Sequence, residues 1–311
     1  MTKFIKPFLK WVGGKSQIIE NILENVPLEI NNYYEPFLGG GSVLLNVLQL
    51  YKLNNINITG KIIASDINKD LIDLYNNIKD NKEQFILELQ ILKKEYSSII
   101  DLNLECDKII KNKLQDNKKN SMLSKERYYY WIRHVYNENK INNIQKSAMF
   151  LFLNKTCFRG LYRCSHKTGY FNVSFGNYNN PVFFDKQNID NISLLIQNVN
   201  FVYCDFENIL NTQFESLDFL YLDPPYVPVN KTSFVDYSKF GFNDLNHKTL
   251  FNKIHSLSDS NTNLMLSNSY TDTIVNNFCK EKYTIKIIST VRKINSKIPN
   301  SKVDELLILN Y

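Results

Sequence analysis

The sequence predicts an α/β fold built on a doubly wound, mostly parallel sheet. Three observations predict it. Short apolar runs repeatedly end on an acid: residues 61–65 on Asp66, 201–203 on Cys204-Asp205, and 217–222 on Asp223. Stretches with helical spacing alternate with them, at Val43, Leu44, Val47 and Leu48 and again over residues 71–78. A glycine-rich corner, Leu38-Gly39-Gly40-Gly41, stands between the first run and its helix. Strands that alternate with helices pair in parallel and bury both sheet faces, so they read as apolar runs rather than as alternating ones.

Taken in order, Tyr33-Tyr34-Glu35-Pro36-Phe37 reads as the first strand, and residues 61–65 as the second. Residues 201–203 and 217–222 read as two more, with 264–266, 283–289 and 305–309 as candidates for the remainder. Between 81 and 199 the character changes. Helical patterns cover residues 85–100 and 125–136, residues 111–121 form a polar break expected to be a mobile surface loop, and residues 154–181 are rich in glycine and aromatics. The expected organisation is one domain of residues 1–80 and 200–311 interrupted by a second lobe, 81–199. No internal repeat is visible.

At 311 residues the chain is long enough for two lobes. A hydrophobic share of 43% against 22% charged excludes a disordered chain or a fibrous repeat. No apolar run approaches a membrane span and no signal peptide is recognisable, so an intracellular location is expected, in the cytoplasm, at the nucleoid or at viral DNA. Cys106, Cys157, Cys164, Cys204 and Cys279 are scattered singly, which indicates neither a zinc site nor a disulfide framework. The net charge of +6 is modest, but its distribution is uneven. No acid precedes Glu20, none lies between Glu138 and Asp185, and none between Glu281 and Asp304. Those windows carry Lys3, Lys6, Lys10 and Lys15; Lys140, Lys146, Lys155, Arg159, Arg163 and Lys167; and Lys286, Arg292, Lys293, Lys297 and Lys302. Brought together they suit nucleic acid; left apart they are solvated faces.

Glycines after a strand let the backbone approach a ligand where a Cβ would collide. Gly39 and Gly41, followed about 25 residues later by Asp66 at a strand end, suggest an adenosine-containing cofactor whose ribose hydroxyls donate to the acid. That pair leaves a nicotinamide dinucleotide open. Asp223-Pro224-Pro225-Tyr226 narrows the reading. Two prolines cannot continue a ladder, so they fix a rigid exit from the sheet. The exit presents a carboxylate, the Pro224 carbonyl and an aromatic face together. An exocyclic amine such as adenine N6 needs two acceptors for its N–H bonds and a ring to stack on, and this tetrapeptide supplies them.

With these motifs in hand, the sequence resembles the Dam-like DNA adenine-N6 methyltransferases (D12 class, alpha group) along nearly its whole length. The resemblance is carried by Lys10-Trp11-Val12-Gly13-Gly14-Lys15, Phe37-Leu38-Gly39-Gly40-Gly41, Ser65-Asp66-Ile67-Asn68, Cys204-Asp205-Phe206, Asp223-Pro224-Pro225-Tyr226, Leu266-Ser267-Asn268-Ser269 and residues 305–311, in family order. It implies a Rossmann-like class I methyltransferase sheet with an inserted, mainly helical DNA-recognition lobe that carries a β-hairpin. It implies S-adenosyl-L-methionine as cofactor, surrounded by Trp11, Lys15, Gly39, Gly41, Asp66, Asp205, Phe206 and Asp223, and no metal. Catalysis would rest on Asp223, Pro224, Pro225 and Tyr226, with the target adenine flipped out of the duplex.

The lobe's matches are Leu161-Tyr162-Arg163 and residues 169–178. By the resemblance, Lys10 and Tyr178 lie near the first base pair, Leu161 near the third, and Arg163 reaches a guanine of the last, a set that suggests GATC. Ser174 departs from the proline typical of GATC readers. The expected partners are double-stranded DNA and a cognate restriction endonuclease acting on the same site, with the enzyme a monomer. Phosphate contacts remain the alternative for Lys10 and Arg163. Rival readings are a methyltransferase acting on RNA bases or protein glutamine, and a DNA-binding protein without catalysis. His134, His166, His247 and His255 show no ligand spacing, and Tyr128-Tyr129-Tyr130-Trp131 is expected to pack the lobe's own core.

Overall fold

The computed structural model describes residues 4–100, 118–227, 241–259, 262–291 and 302–311. The chain forms two compact units, one of Met1–Lys6, Gly13–Ile67 and Asn198–Tyr311, the other of Pro7–Val12 and Asn68–Gln197.

Among the described residues the first unit holds nine strands, numbered along the chain: β1 Glu29–Ile30, β2 Tyr33–Glu35, β3 Asn57–Ile58, β4 Ile62–Asp66, β5 Val199–Tyr203, β6 Phe219–Leu222, β7 Asn263–Ser269, β8 Thr284–Val291 and β9 Lys302–Leu309. Seven of them form one sheet in the order β5-β4-β2-β6-β7-β9-β8, and β1 pairs with β3 apart from it. Every pairing from β5 to β7 is parallel, and β9 alone runs against its neighbours β7 and β8. The doubly wound fold expected from the sequence is therefore present. The chain leaves β2 first toward β4 and β5 and later returns to β6 on its other side. That places the topological switch point between β2 and β6, where sheets of this kind bind ligands at their carboxyl ends.

The central strands are apolar because both faces are covered: all four residues of β6, Phe219-Leu220-Tyr221-Leu222, are buried. The helix Ser42–Lys52 follows β2, and Asp244–Leu257 follows β6. The second starts at Asn243, which forms a reciprocal capping box with Asn246. Leu250, Phe251 and Ile254 of that helix join Leu220, Leu222, Leu264, Leu266, Leu306 and Ile308 in one apolar cluster.

The amino ends of the central strands are stitched by Asp218, which is fully buried. Its Oδ1 accepts from the Asn32 amide at 3.0 Å, the Asn32 side chain at 2.8 Å and the Asn31 side chain at 3.1 Å. Its Oδ2 accepts from the Glu215 amide at 2.9 Å, and Asn32 Oδ1 accepts from the Lys61 amide at 2.8 Å just before β4. The network fixes the register of β4, β2 and β6. Gly60 is needed there, since a Cβ would lie 2.4 Å from Asn32 Oδ1 and 2.9 Å from the Asn31 carbonyl.

The second unit is mainly helical, with helices Lys69–Asp80, Lys82–Ser98, Lys118–Ser121, Lys125–Glu138, Asn143–Thr156 and Lys186–Leu195. Side chains of Asn68, Ser124, Asn142 and Asp185 cap four of these by accepting from the backbone of the first turn. Tyr128, Tyr129 and Tyr130 are buried, so the aromatic run does pack the unit's core: Tyr128 donates to Glu95 at 2.7 Å and Tyr129 to the Val173 carbonyl at 2.8 Å.

Two expectations need correction, and a third holds with an irregularity. The compact units do not divide at 80/81. Helix Lys69–Asp80 belongs to the second unit because Asn77 donates to Ser147 at 2.8 Å and Asp70 pairs with Lys146 at 2.7 Å; Pro7–Val12 joins it through Phe8 against Tyr75 and Lys10 against Asn154. The polar break was expected to be loop throughout, yet residues 118–121 form a helical turn in which Lys118 pairs with Glu95 at 2.6 Å, while residues 111–117 lie outside the described residues. The hairpin expected over residues 161–163 and 169–178 does pair antiparallel, through the bridges Cys164 to Phe171 and Cys157 to Phe175, with a 3-10 turn at Phe158–Gly160, where Arg159 and Gly160 have positive φ, interrupting one arm.

Replacing Asp218 with Ala should lower stability by on the order of 3 kcal/mol, since several buried donors lose their acceptor at once. Urea unfolding measures this; a loss below about 1 kcal/mol would show that the Asn31–Asn32–Asp218 network does not hold the register.

Candidate active site

The carboxyl ends of the parallel strands gather most of the residues singled out in the sequence. Leaving β2, the chain turns through Gly39 and Gly41, at φ of +49° and +66°, a left-handed conformation that glycine adopts without strain. Gly41 then caps helix Ser42–Lys52. The Gly39 amide donates to Asp66 Oδ2 at 3.0 Å, so the end of β4 is tied to the glycine turn. At the end of β5, Asp205 accepts from the Glu207 amide at 3.0 Å and caps the turn Phe206–Leu210. Phe206 is buried and stacks on Phe37 with ring centroids 5.3 Å apart, and Phe242 packs against both.

Asp223 leaves β6 beside Lys15, whose Nζ lies 2.7 Å from Asp223 Oδ1. Lys15 is only 4% exposed, donates also to the Gly13 carbonyl at 2.8 Å, and lies over the Tyr226 ring, 4.7 Å from its centroid. Burial raises the Asp223 carboxyl to about 6, with Lys15 pulling the other way. For Lys15 burial works against the ammonium, but Asp223, Tyr221 and Glu305 outweigh it and its pKa is raised. Among the described residues neither Asp223 Oδ2 nor the Pro224 carbonyl accepts a hydrogen bond, so two acceptors stand open at the sheet exit.

The Leu266-Ser267-Asn268-Ser269 block acquires a physical meaning here. Asn268 Oδ1 accepts from the Val227 amide at 3.2 Å, and Ser269 donates to the Val227 carbonyl at 2.8 Å. The Tyr226 hydroxyl donates to Glu305 Oε2 on β9 at 2.7 Å and lies 3.1 Å from Ser267 Oγ. The segment after β6 is thereby held by the next two strands of the sheet.

Two acids of this cluster went unread in the sequence. Glu305 was seen only as part of a terminal block. Glu35, 2% exposed at the end of β2, accepts from the Tyr33 hydroxyl at 2.6 Å. Burial lifts its carboxyl to about 8, and Asp223 adds to the rise against the Tyr33 bond, so Glu35 is protonated at neutral pH. The available signal was an acid immediately followed by proline at a strand end.

The remaining candidates lie in the second unit. Trp11 stacks on Tyr162 at 5.7 Å and touches Phe150. Lys10 is fixed through its backbone, whose N–H and C=O pair with the Asn154 side chain at 2.9 and 2.7 Å, and its Nζ lies 4.5 Å from the Tyr178 ring centroid. The Tyr178 hydroxyl accepts from the Arg159 amide at 2.9 Å. Gly160 is required beside Lys10, since a Cβ would meet the lysine side chain at 2.6 Å. Leu161 is half-buried and Ser174 exposed. Arg163 is exposed, with Nε donating to Asn172 Oδ1 at 2.8 Å. The acid-free window divides: Lys140 and Lys146 pair with Glu138 and Asp70, whereas Lys155, Arg159, Arg163 and Lys167 have no carboxylate partner among the described residues. Of the third window, Arg292, Lys293 and Lys297 lie outside the described residues.

A strand order with one reversed strand next to the last, together with a glycine turn, an acid on the adjoining strand and Asp-Pro-Pro-Tyr at the switch point, defines a Rossmann-like methyltransferase. The comparisons narrow that class. The family model of the D12 class N6 adenine-specific DNA methyltransferases matches residues 11–294. The chain belongs to this family and is an adenine-specific DNA methyltransferase. It is 41% identical to the type II methyltransferase M.MjaIII of Methanocaldococcus jannaschii, over 99% of both chains. It is 29% identical to the type II methyltransferase M1.LlaDCHI of Lactococcus lactis subsp. cremoris, over 99% of this chain and 96% of the relative. To the DNA adenine methylase of Escherichia coli K12 it is 27% identical, over 98% and 95%.

A carboxyl whose folded pKa is raised stabilises the fold below its unfolded pKa, and that contribution is lost as pH rises through the folded value. Glu35→Gln, which stays neutral, should therefore flatten the fall in melting temperature between pH 6 and 8. Melting curves of wild type and variant across this range test it, and parallel falls would refute a buried, protonated Glu35.

Proposed function

We propose that this enzyme transfers the methyl group of S-adenosyl-L-methionine to N6 of adenine in duplex DNA, within GATC. The observation that carries the reading is the exit of β6, where Lys15 takes one oxygen of Asp223 while Asp223 Oδ2 and the Pro224 carbonyl stand open beside the Tyr226 ring. These two acceptors match the two N–H bonds of an exocyclic amine. Held by both, the nitrogen lone pair is drawn out of conjugation with the ring and toward the incoming methyl. Pro225 stiffens the exit, and Tyr226 stacks on the base.

The residues around the glycine turn suit the cofactor. Asp66, braced by Gly39, faces ribose hydroxyls, the stacked pair of Phe206 and Phe37 offers an apolar wall to an adenine ring, Asp205 accepts from its edge, and Gly41 allows close approach. Lys15 serves the amino-acid end. When bound, S-adenosyl-L-methionine supplies an electrophilic methyl on a sulfonium. As the methyl passes to nitrogen, positive charge arrives at N6, and Asp223 stabilises it in a site preorganised by Lys15. The methylated amine then gives one N–H proton to Asp223 Oδ2, from which it passes to water. An adenine still in the stack cannot reach both acceptors, so the base is flipped.

In the recognition unit, Arg163 has its Nε committed to Asn172 and its two terminal nitrogens left for a guanine edge, with Lys10, Leu161, Ser174 and Tyr178 reading the remainder. The type II names of two relatives favour a cognate restriction endonuclease as partner, with the methyltransferase a monomer working inside the cell where that DNA resides.

Asp223→Ala should lower kcat by on the order of a thousandfold without unfolding the chain. For wild type, kcat/KM should fall on the acid side with an apparent pKa near 6, as Asp223 takes up its proton. Tritium transfer to DNA measures both, and a variant with near-normal kcat would sink the assignment.

Arg163→Ala separates base from phosphate contact. Base readout predicts a loss of discrimination of about 1–3 kcal/mol at one base pair, the others staying selective. Methylation rates on GATC and each single-base variant at two salt concentrations decide this; uniform weakening with a shallower salt dependence would mean a phosphate contact.

A further inference from the structure

We infer that Glu305 is a positioning residue for methyl transfer, acting through the Tyr226 hydroxyl to fix the ring on which the target adenine stacks. The inference rests on the reading of Asp223-Pro224-Pro225-Tyr226 given above. A tyrosine that only stacks needs no partner for its hydroxyl beyond water. The Tyr226 hydroxyl instead donates to the Glu305 carboxylate at 2.7 Å, a charge-assisted bond, and sits 3.1 Å from Ser267 Oγ. Burial and the acids Asp223 and Glu305 hold its pKa well above the ordinary tyrosine range, so it remains a donor.

The two partners come from different strands. Ser267 lies on β7 and Glu305 on β9, two residue pairs apart in the antiparallel ladder that matches Ser267 with Leu307 and Ser269 with Glu305. Their spacing is set by the sheet and not by the loop that carries Tyr226. The ring is thus held at both ends: its hydroxyl by the two strands, its backbone by Asn268 and Ser269 through Val227. Lys15 rests over the ring face as well as on Asp223, so a rotated ring would also lose its contact with the cation that keeps Asp223 ionised. Glu305 makes no hydrogen bond to Asp223 or Lys15, though its charge raises the pKa of both, so the part of its influence that passes through the hydroxyl is the part a double-mutant cycle isolates.

The test is a double-mutant cycle on the full chain with Tyr226→Phe, Glu305→Gln and the pair. Glu305→Gln and Tyr226→Phe should each lower kcat by about tenfold, the weight of one hydrogen bond to a charged group. The cofactor dissociation constant, read by calorimetry, should stay unchanged. The pair should be no worse than Tyr226→Phe alone. With 2-aminopurine at the target position, both single variants should fluoresce more brightly than wild type when DNA is bound, because the flipped base stacks less firmly.

Additive losses would overturn the inference, since Glu305 would then act independently of the hydroxyl. So would a wild-type kcat in Tyr226→Phe, a result that counts even if Glu305→Gln does not fold. Failure of wild type to methylate adenine would instead refute the underlying function, a separate outcome.

Discussion

A carboxylate half-buried at a strand end is costly unless a cation stands beside it, and the pair formed by Asp223 and the buried Lys15 is the interaction on which this site depends. Lys15 arrives from the amino-terminal segment and Asp223 from β6, so two remote stretches of chain meet at one charge. Once they meet, much of the neighbouring structure becomes intelligible. The Gly13 carbonyl takes another proton of the ammonium, the prolines prevent Asp223 from swinging away, and the Tyr226 ring closes over the cation. Burial keeps Glu35 neutral, and the Asp223 carboxylate nearby adds to the effect.

The pair of strands β2 and β6 has two ends with opposite characters. At the amino end, Asp218 spends its acceptors on Asn31, Asn32 and Glu215, and nothing is left for a ligand. At the carboxyl end, acceptors are left open and titratable groups crowd together. A saturated network makes a rigid fulcrum, and an unsaturated one makes a place for chemistry. The short central strands join the two, and their parallel register carries the precision of one end to the other.

The sheet was legible because its strands are apolar runs that stop on an acid; β4, β5 and β6 end within two residues of Asp66, Asp205 and Asp223. What escaped had physical reasons. Helix Asn143–Thr156 is buried on several sides, from Ala148 to Leu153, so it shows no clean amphipathic face to read. The paired strands β1 and β3 are two residues each, too short for any period. Leu217 was counted as strand, but its positive φ makes it a turn before β6. At the site, Gly39, Asp66 and Asp223 stood out because spacing and flanking residues marked them. Glu35 and Glu305 did not, because an acid inside a strand reads as a solvent-facing residue until the fold shows it accepting from a tyrosine hydroxyl.

The strip Pro7–Val12 makes the second unit discontinuous in sequence. Phe8 packs on Tyr75, Lys10 is locked to Asn154 and Gly160, and Trp11 stacks on Tyr162, all within that unit. A lobe transplanted as one cassette between relatives would therefore arrive without its own amino-terminal strap. A complete graft of this unit needs two segments from the same donor, one of them the six-residue strip far from the rest in sequence.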